Sequence, residues 1–184
     1  QPAFAIGYRT PDPVAELDRY LVYHVLSKLL GDGEASRLRA RLVHGDHLAT
    51  DVDCRLGVVG GEAFFIRDPS LFQVVAFHPG VATTEALLEV VNDEIGQVAS
   101  PGPSARELAR AVASCSAELW SGLDSLLARA HIVASIETVH GRAELIEELG
   151  HRLTAVSAAD VAVAAADLLG QRRAILELQP TAAN

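Results

Sequence analysis

Residues 48–58, LATDVDCRLGV, alternate without a break. Leu48, Thr50, Val52, Cys54, Leu56 and Val58 fall on one side; Ala49, Asp51, Asp53, Arg55 and Gly57 fall on the other. A period of two with one apolar and one polar side is a half-buried strand, and such a strand belongs to a sheet covered on one face only. The preceding segment has a different period. Val14, Leu17, Leu21, Val25 and Leu29 recur every three or four residues, the spacing of a helix. Asp12 is placed to cap that helix, with Pro13 at its first position, where a missing N–H costs nothing. GDG (31–33) ends it. Ser36 is expected to cap a second, short helix, SRLRARLVHG, that buries Leu38 and Leu42, turns its arginines outward and stops at Gly45.

The rest of the chain divides by the same signals. AFAIGYRT (3–10) reads as a strand stopped by TPDP. Gly60–Gly61 reads as a turn, and EAFFIRD and LFQVVAFHP as further strands. Thr83 or Thr84 opens a helix with Leu88, Val91, Ile95 and Val98 on one face. After SPGP, Ser104 and Glu107 form a capping box for a long helix through Leu108, Val112, Cys115 and Leu119. Its helical character runs past Gly122 to about Thr138. A helix over Ala143–Arg152, a second Ser-x-x-acid cap in VSAADV and a final strand, RAILELQ (173–179), complete the chain. Strands and helices do not alternate regularly, which favours a single α+β domain over 1–184, with an antiparallel or mixed sheet and helices packed on one face. No GxGxxG or GxxxxGK[ST] run is present.

Composition narrows the partners. The formal net charge is −9, which argues against nucleic acid and against an anionic membrane surface. Arg37, Arg39 and Arg41 cluster, but among acids such as Glu34 and Asp46, and read as a solvated helix face. The most apolar stretch, AVSAADVAVAAADLL, contains Asp160 and Asp167 and is too short to span a bilayer. Cys54 and Cys115 each lie in an apolar pattern and read as buried free thiols, with a disulfide left open. The chain begins at Gln1 and has no Met, so the expectation is a segment of a longer or processed protein, cytoplasmic by default. Its arginines greatly outnumber its single lysine and alanine abounds, as in GC-rich bacterial coding.

HGDH (44–47) raises the question of a metal. Zinc needs three or four converging ligands on a rigid frame. Gly45 interrupts the helix between His44 and His47, and beyond Asp46 no third ligand is near. The expectation is a polar helix end with solvated imidazoles. His24 sits at the edge of an apolar stripe, His78 precedes Pro79, and His131, His140 and His151 are scattered. Asp51 and Asp53 read as a solvent-facing strand side, Asp93–Glu94 and Glu147–Glu148 as helix surface, and Trp120 as a core or interface anchor. The residues therefore nominate no catalytic side chain and no metal ligand, and leave substrate-binding residues unassigned.

One resemblance organises these signals. The stretch LLGDGEASRLRARLVHGDHLATDV, through Leu29, Leu30, Gly31, Gly33, Ser36, Arg37, Leu38, Leu42, Leu48, Ala49 and Val52, resembles the second half of insulinase-type zinc peptidases, the family of pitrilysin and mitochondrial processing peptidase. DPSLFQVVAFHPG, PSARELARA and LTAVSAADVAVAAADLL resemble later segments of that half, in the same order, so the likeness spans nearly the whole chain. Members of the family are built from two similar α+β halves. The first carries a His-x-x-Glu-His helix that binds zinc, and that string is absent here. The resemblance therefore implies a C-terminal, non-zinc domain with no cofactor of its own, zinc being held by a partner domain or subunit.

In some members this half supplies an Arg and, seven residues on, a Tyr that hold the substrate backbone. The match puts those positions at Val43 and Thr50, and neither side chain carries the needed group. The implied role is to form part of a peptide-binding chamber and to pack on a zinc-bearing domain, with peptide or unfolded polypeptide as substrate and a homo- or heterodimer in the full protein. A peptide is expected to add as a strand to an exposed sheet edge. The alternatives are a stand-alone interaction or assembly domain and a degenerate, non-peptidase subunit.

Overall fold

The computed structural model describes residues 1–57, 63–80, 82–121 and 123–179. Strand β1 (Ala3–Arg9) leads to helix α1 (Leu17–Gly31), a π-helical turn (Arg39–Gly45) and β2 (Asp51–Leu56). A 3₁₀ turn (Ala63–Phe65) precedes β3 (Leu71–Phe77). Helices α2 (Thr84–Ala99), α3 (Ala105–Ser121), α4 (Leu126–His140), α5 (Leu145–Thr154) and α6 (Ala158–Gly170) follow, and β4 (Ala174–Leu178) closes the order. The strands form one sheet, β2-β3-β1-β4, with every pairing antiparallel. The α+β class holds, and the sheet is antiparallel rather than mixed.

Alternation decides which face meets the helices. Val52, Cys54 and Leu56 of β2, Phe72, Val74 and Ala76 of β3, and Phe4, Ile6 and Tyr8 of β1 are all buried. They stand opposite one another across the ladders, with Cys54 facing Val74 and Ile6 facing Val74 in turn. Helix α1 lies on this face, and almost every residue from Tyr20 to Gly31 is buried. The approach is closest at its last turn. A Cβ added to Gly31 would lie 2.4 Å from the Cys54 backbone nitrogen and 2.5 Å from the Cys54 Cβ. Only a residue without a side chain lets the helix end sit on β2.

The residues after α1 serve the same junction. Gly33 adopts φ +75°, open to glycine at little cost. Ser36 is fully buried and its hydroxyl donates to the Gly33 carbonyl at 2.8 Å. The expected helix cap at Ser36 is therefore corrected: the side chain closes a turn behind it and satisfies no helix N–H. The short helix is instead wound as a π-helical turn. Arg37 is not outward either. Its Nε and Nη2 donate to both Glu107 carboxylate oxygens at 2.7 and 3.2 Å, which ties the turn to α3. Those bonds, with the Ser104 cap, hold the Glu107 carboxyl down to about 2.

Three further expectations change. EAFFIRD is not a strand: Ala63–Phe65 form a 3₁₀ turn that buries Ala63 and Phe64 under α1, where Tyr20 Oη donates to the Ala63 carbonyl. The long helix does not run through to Thr138. It ends at Ser121, and Ser125 caps a separate α4 by accepting from Ala128 N. Asp12 caps the turn before α1, accepting from Val14 N and Ala15 N, while α1 itself begins at Leu17. The Gly60–Gly61 turn lies outside the described residues. The remaining caps form as read: Thr83 for α2, the Ser104–Glu107 box for α3 and the Ser157–Asp160 box for α6. Cys54 and Cys115 are buried and free. Among the described residues no single helix is long and apolar enough to cross a membrane.

Gly31→Ala tests the junction. The new methyl meets backbone, which cannot rotate away, so a loss of about 3 kcal/mol or more is expected in urea unfolding, while Gly96→Ala, which meets nothing within 4 Å, should be neutral or slightly stabilising.

Candidate functional site

The histidine stretch lies at the end of the π-helical turn, and its side chains diverge. His44 Nε2 meets Glu34 Oε2 at 2.9 Å, and His47 Nδ1 donates to the Val43 carbonyl at 2.9 Å. Asp46 accepts from Arg41 Nε at 2.6 Å. Both imidazoles are exposed, and His47 sits at φ +54°, where the chain leaves the turn for β2. Each donor is committed to a different neighbour, so the three do not form a zinc-binding set. Among the described residues no group of three His, Cys, Asp or Glu converges anywhere. Val43 is half-buried. Thr50 is exposed at the start of β2, with its hydroxyl donating to the Phe77 carbonyl at 3.1 Å and taken in turn by the Gln1 amide. Neither position offers a cation or a phenol to a passing peptide backbone.

What the fold assembles is a surface. The register sets Leu178, Ala3, Phe77 and Asp51 in one row across the helix-free face. Leu176, Ala5, Val75 and Asp53 form the next row, and Ala174, Gly7, Gln73 and Arg55 the third. Phe77 is 41% exposed, Leu176 56% and Leu178 55%. The face is thus apolar over β4, β1 and most of β3, where Gln73 interrupts it, and charged along β2. There Arg39 pairs with Asp51, and Arg55 with Asp53 at 3.6 Å. Asp51 and Asp53 do lie on the outer side, as the alternation requires. The apolar part went unread, although a signal exists: Leu71, Val75 and Phe77 lie on the opposite side of β3 from Phe72, Val74 and Ala76, so that strand is apolar on both faces.

The groups with displaced ionisation lie behind the sheet. His24 is buried between α1 and α3 with neither ring nitrogen hydrogen-bonded. Its ring stands edge-on to Phe64, centroids 5.3 Å apart, and Nε2 is 3.6 Å from Glu118 Oε2. Glu118 is held by Lys28 Nζ at 2.7 Å. Burial lowers the His24 imidazole to about 4, with Glu118 opposing and Lys28 assisting. Burial also pushes the Cys115 thiol up, so it is an inert core group and no nucleophile. Glu94 lies between Arg37 and Arg41, at 3.9 and 3.8 Å, and burial raises it against their pull. These groups bind helices together and face no open cleft of the sheet.

The described residues thus form an α+β domain with a partly exposed apolar sheet face and no group of three possible metal ligands. The family model for the peptidase M16 inactive domain matches residues 1–115. The chain belongs to that family. No curated protein sequence matches it. Among solved structures, the inactive peptidase domain of a candidate zinc protease from Bordetella parapertussis is 18% identical with a TM-score of 0.79; the match covers 100% of this chain and 94% of that one. A protease from Helicobacter pylori is 21% identical with a TM-score of 0.78, covering 97% of this chain and 41% of that one. A chain of complex III2 from Candida albicans is 14% identical with a TM-score of 0.76, covering 96% and 42%. The chain therefore spans about two-fifths of the length of the Helicobacter and Candida chains.

Two measurements probe this reading. After exhaustive dialysis against metal-free buffer, elemental analysis is expected to find no stoichiometric zinc; one equivalent lost on changing His44 and His47 together would contradict the geometry. His24 stays neutral in the fold and takes a proton in the unfolded chain below its ordinary 6.5. Stability is therefore expected to fall as pH drops from 6.5 towards about 4, and His24→Leu should flatten that part of the profile in pH-dependent urea melts.

Proposed function

We propose that this chain is the non-catalytic C-terminal domain of a zinc metallopeptidase, where it walls part of a peptide-binding chamber and packs on a zinc-bearing domain. Membership of the inactive-domain family carries the first half of this reading. The apolar sheet face, where Phe77, Leu176 and Leu178 are exposed and Val75 partly so, carries the second. Exposed apolar area bordered by charges is what a soluble protein keeps for contact. Extended peptide or unfolded polypeptide suits a flat, sequence-tolerant wall, and a folded substrate does not. In this reading zinc and the water it activates are supplied by the partner domain.

A degenerate, non-peptidase subunit is the second reading. It is favoured by the absence of Arg and Tyr at Val43 and Thr50. Reconstitution separates the two. This chain and its zinc-bearing partner domain are mixed and cleavage of an unfolded polypeptide is followed. Zinc-dependent cleavage that needs both is expected, and Phe77→Lys should lower kcat/KM about tenfold, roughly 1.4 kcal/mol, without releasing the partner. Full activity without this chain would overturn the proposal.

A further inference from the structure

The two edges of the sheet are not alike. At β2, the Val52 N–H donates to Asp51 Oδ1 and the Val52 carbonyl accepts from Arg39 Nη2. Side chains thus occupy the outward groups of Val52, the first of the three β2 residues (Val52, Cys54 and Leu56) whose backbone faces away from β3. At β4 no described group bonds to the outer side, and all five residues of the strand are exposed. An unblocked edge with three large aliphatics is a place where another strand pairs.

The ladder says which β4 residues face outward. Thr10 N donates to the Ser70 carbonyl and His78 N to the Pro2 carbonyl, so even-numbered residues of β1 bond towards β3. Odd-numbered ones bond towards β4, as Arg9 N does in donating to Gln171 Oε1. Their partners are Ala174, Leu176 and Leu178. The backbone groups of Arg173, Ile175 and Glu177 therefore point away from the sheet.

We propose that the β4 edge pairs antiparallel with the β4 edge of a second copy of this chain, about a two-fold axis at Ile175. That register sets Ile175 against Ile175 of the second copy and Arg173 against its Glu177, twice over. Each pair exchanges both main-chain hydrogen bonds, since all three residues face outward. The neighbouring registers are worse. An axis at Glu177 opposes two carboxylates, one at Arg173 opposes two guanidiniums, and one at Leu176 sets Ile175 against Glu177. Cross-strand charge pairs favour the first arrangement and like charges penalise the others. On the helix-free face, Leu176 meets Ala174 of the second copy, so the aliphatic surface runs on across an eight-stranded sheet with both helix layers on one side. The two charged side chains give up intramolecular partners to make these pairs. Arg173 now contacts Asn92 and Tyr8, and Glu177 accepts from Gln179 Nε2, all near the strand. This pairing does not depend on the peptidase reading.

The test is sedimentation equilibrium of the 184-residue chain. A concentration-dependent dimer is expected. Arg173→Glu and Glu177→Arg should each weaken it on the order of tenfold or more, because each single change creates two like-charge pairs, and the double exchange should restore it. Ile175→Pro removes an outward N–H that the monomer does not use. It should give a monomer with an unchanged circular dichroism spectrum. A chain that stays monomeric at several hundred micromolar overturns the proposal. So does a dimer indifferent to all these variants, or a monomer that takes up an unrelated extended peptide at β4 in place of its own copy.

Discussion

The contact of Gly31 with the Cys54 backbone is the constraint on which the rest depends. It fixes how near α1 lies to the sheet, and so how deep Leu26, Leu29 and Leu30 sit. It also fixes where the chain must turn next. Gly33 and Ser36 make that turn, the π-helical winding carries it round, and Arg37 anchors it to Glu107 on α3. The chain is then delivered to β2 in a register that hides Val52, Cys54 and Leu56. A methyl at Gly31 would press all of this outward at once.

Seen in these terms, the motif that marked the family resemblance is a packing device. Gly31, Ser36, Leu38 and Leu42 are buried, Arg37 is largely so, and Gly33 makes the exposed turn between them. They hold the junction of α1, α3 and β2, with both leucines fully buried. The chemistry of zinc peptidases is absent from the same stretch: His44 and His47 are taken up by Glu34 and the Val43 carbonyl. Structural and catalytic roles are thus separable within one fold. This chain keeps the first set.

The sheet divides its work by face and by edge. One face supports α1 and the core. The other is left apolar over β4, β1 and most of β3 and charged over β2, which is the arrangement of a contact surface with a polar border. Of the edges, β2 is blocked at Val52 by Asp51 and Arg39, while among the described residues nothing bonds to the outer side of β4. A partly blocked edge beside the π-helical turn and an open one at the far side give the domain a direction in which it can be extended.

Much was legible in the residues alone. Alternation at 48–58, helix periods and the caps at Thr83, Ser104 and Ser157 are local signals, because they depend on backbone geometry within a few residues. They sufficed for the α+β class and for the inactive-domain family. What they missed was non-local. Ala63–Phe65 reads as strand from its aromatics, yet burial against α1 winds it as a 3₁₀ turn. The break between α3 and α4 is set by where Ser125 can cap, in a stretch apolar enough to continue a helix. Ser36 and Arg37 looked like cap and surface, and only the approach of α1, α2 and α3 made them a turn-closing hydroxyl and a half-buried ion pair. The apolar sheet face and the β4 edge belong to pairings as distant as Ala3 with Leu178. Sequence determines which side of a strand is apolar; only the tertiary structure decides which apolar sides are covered, because that depends on which distant helix arrives there.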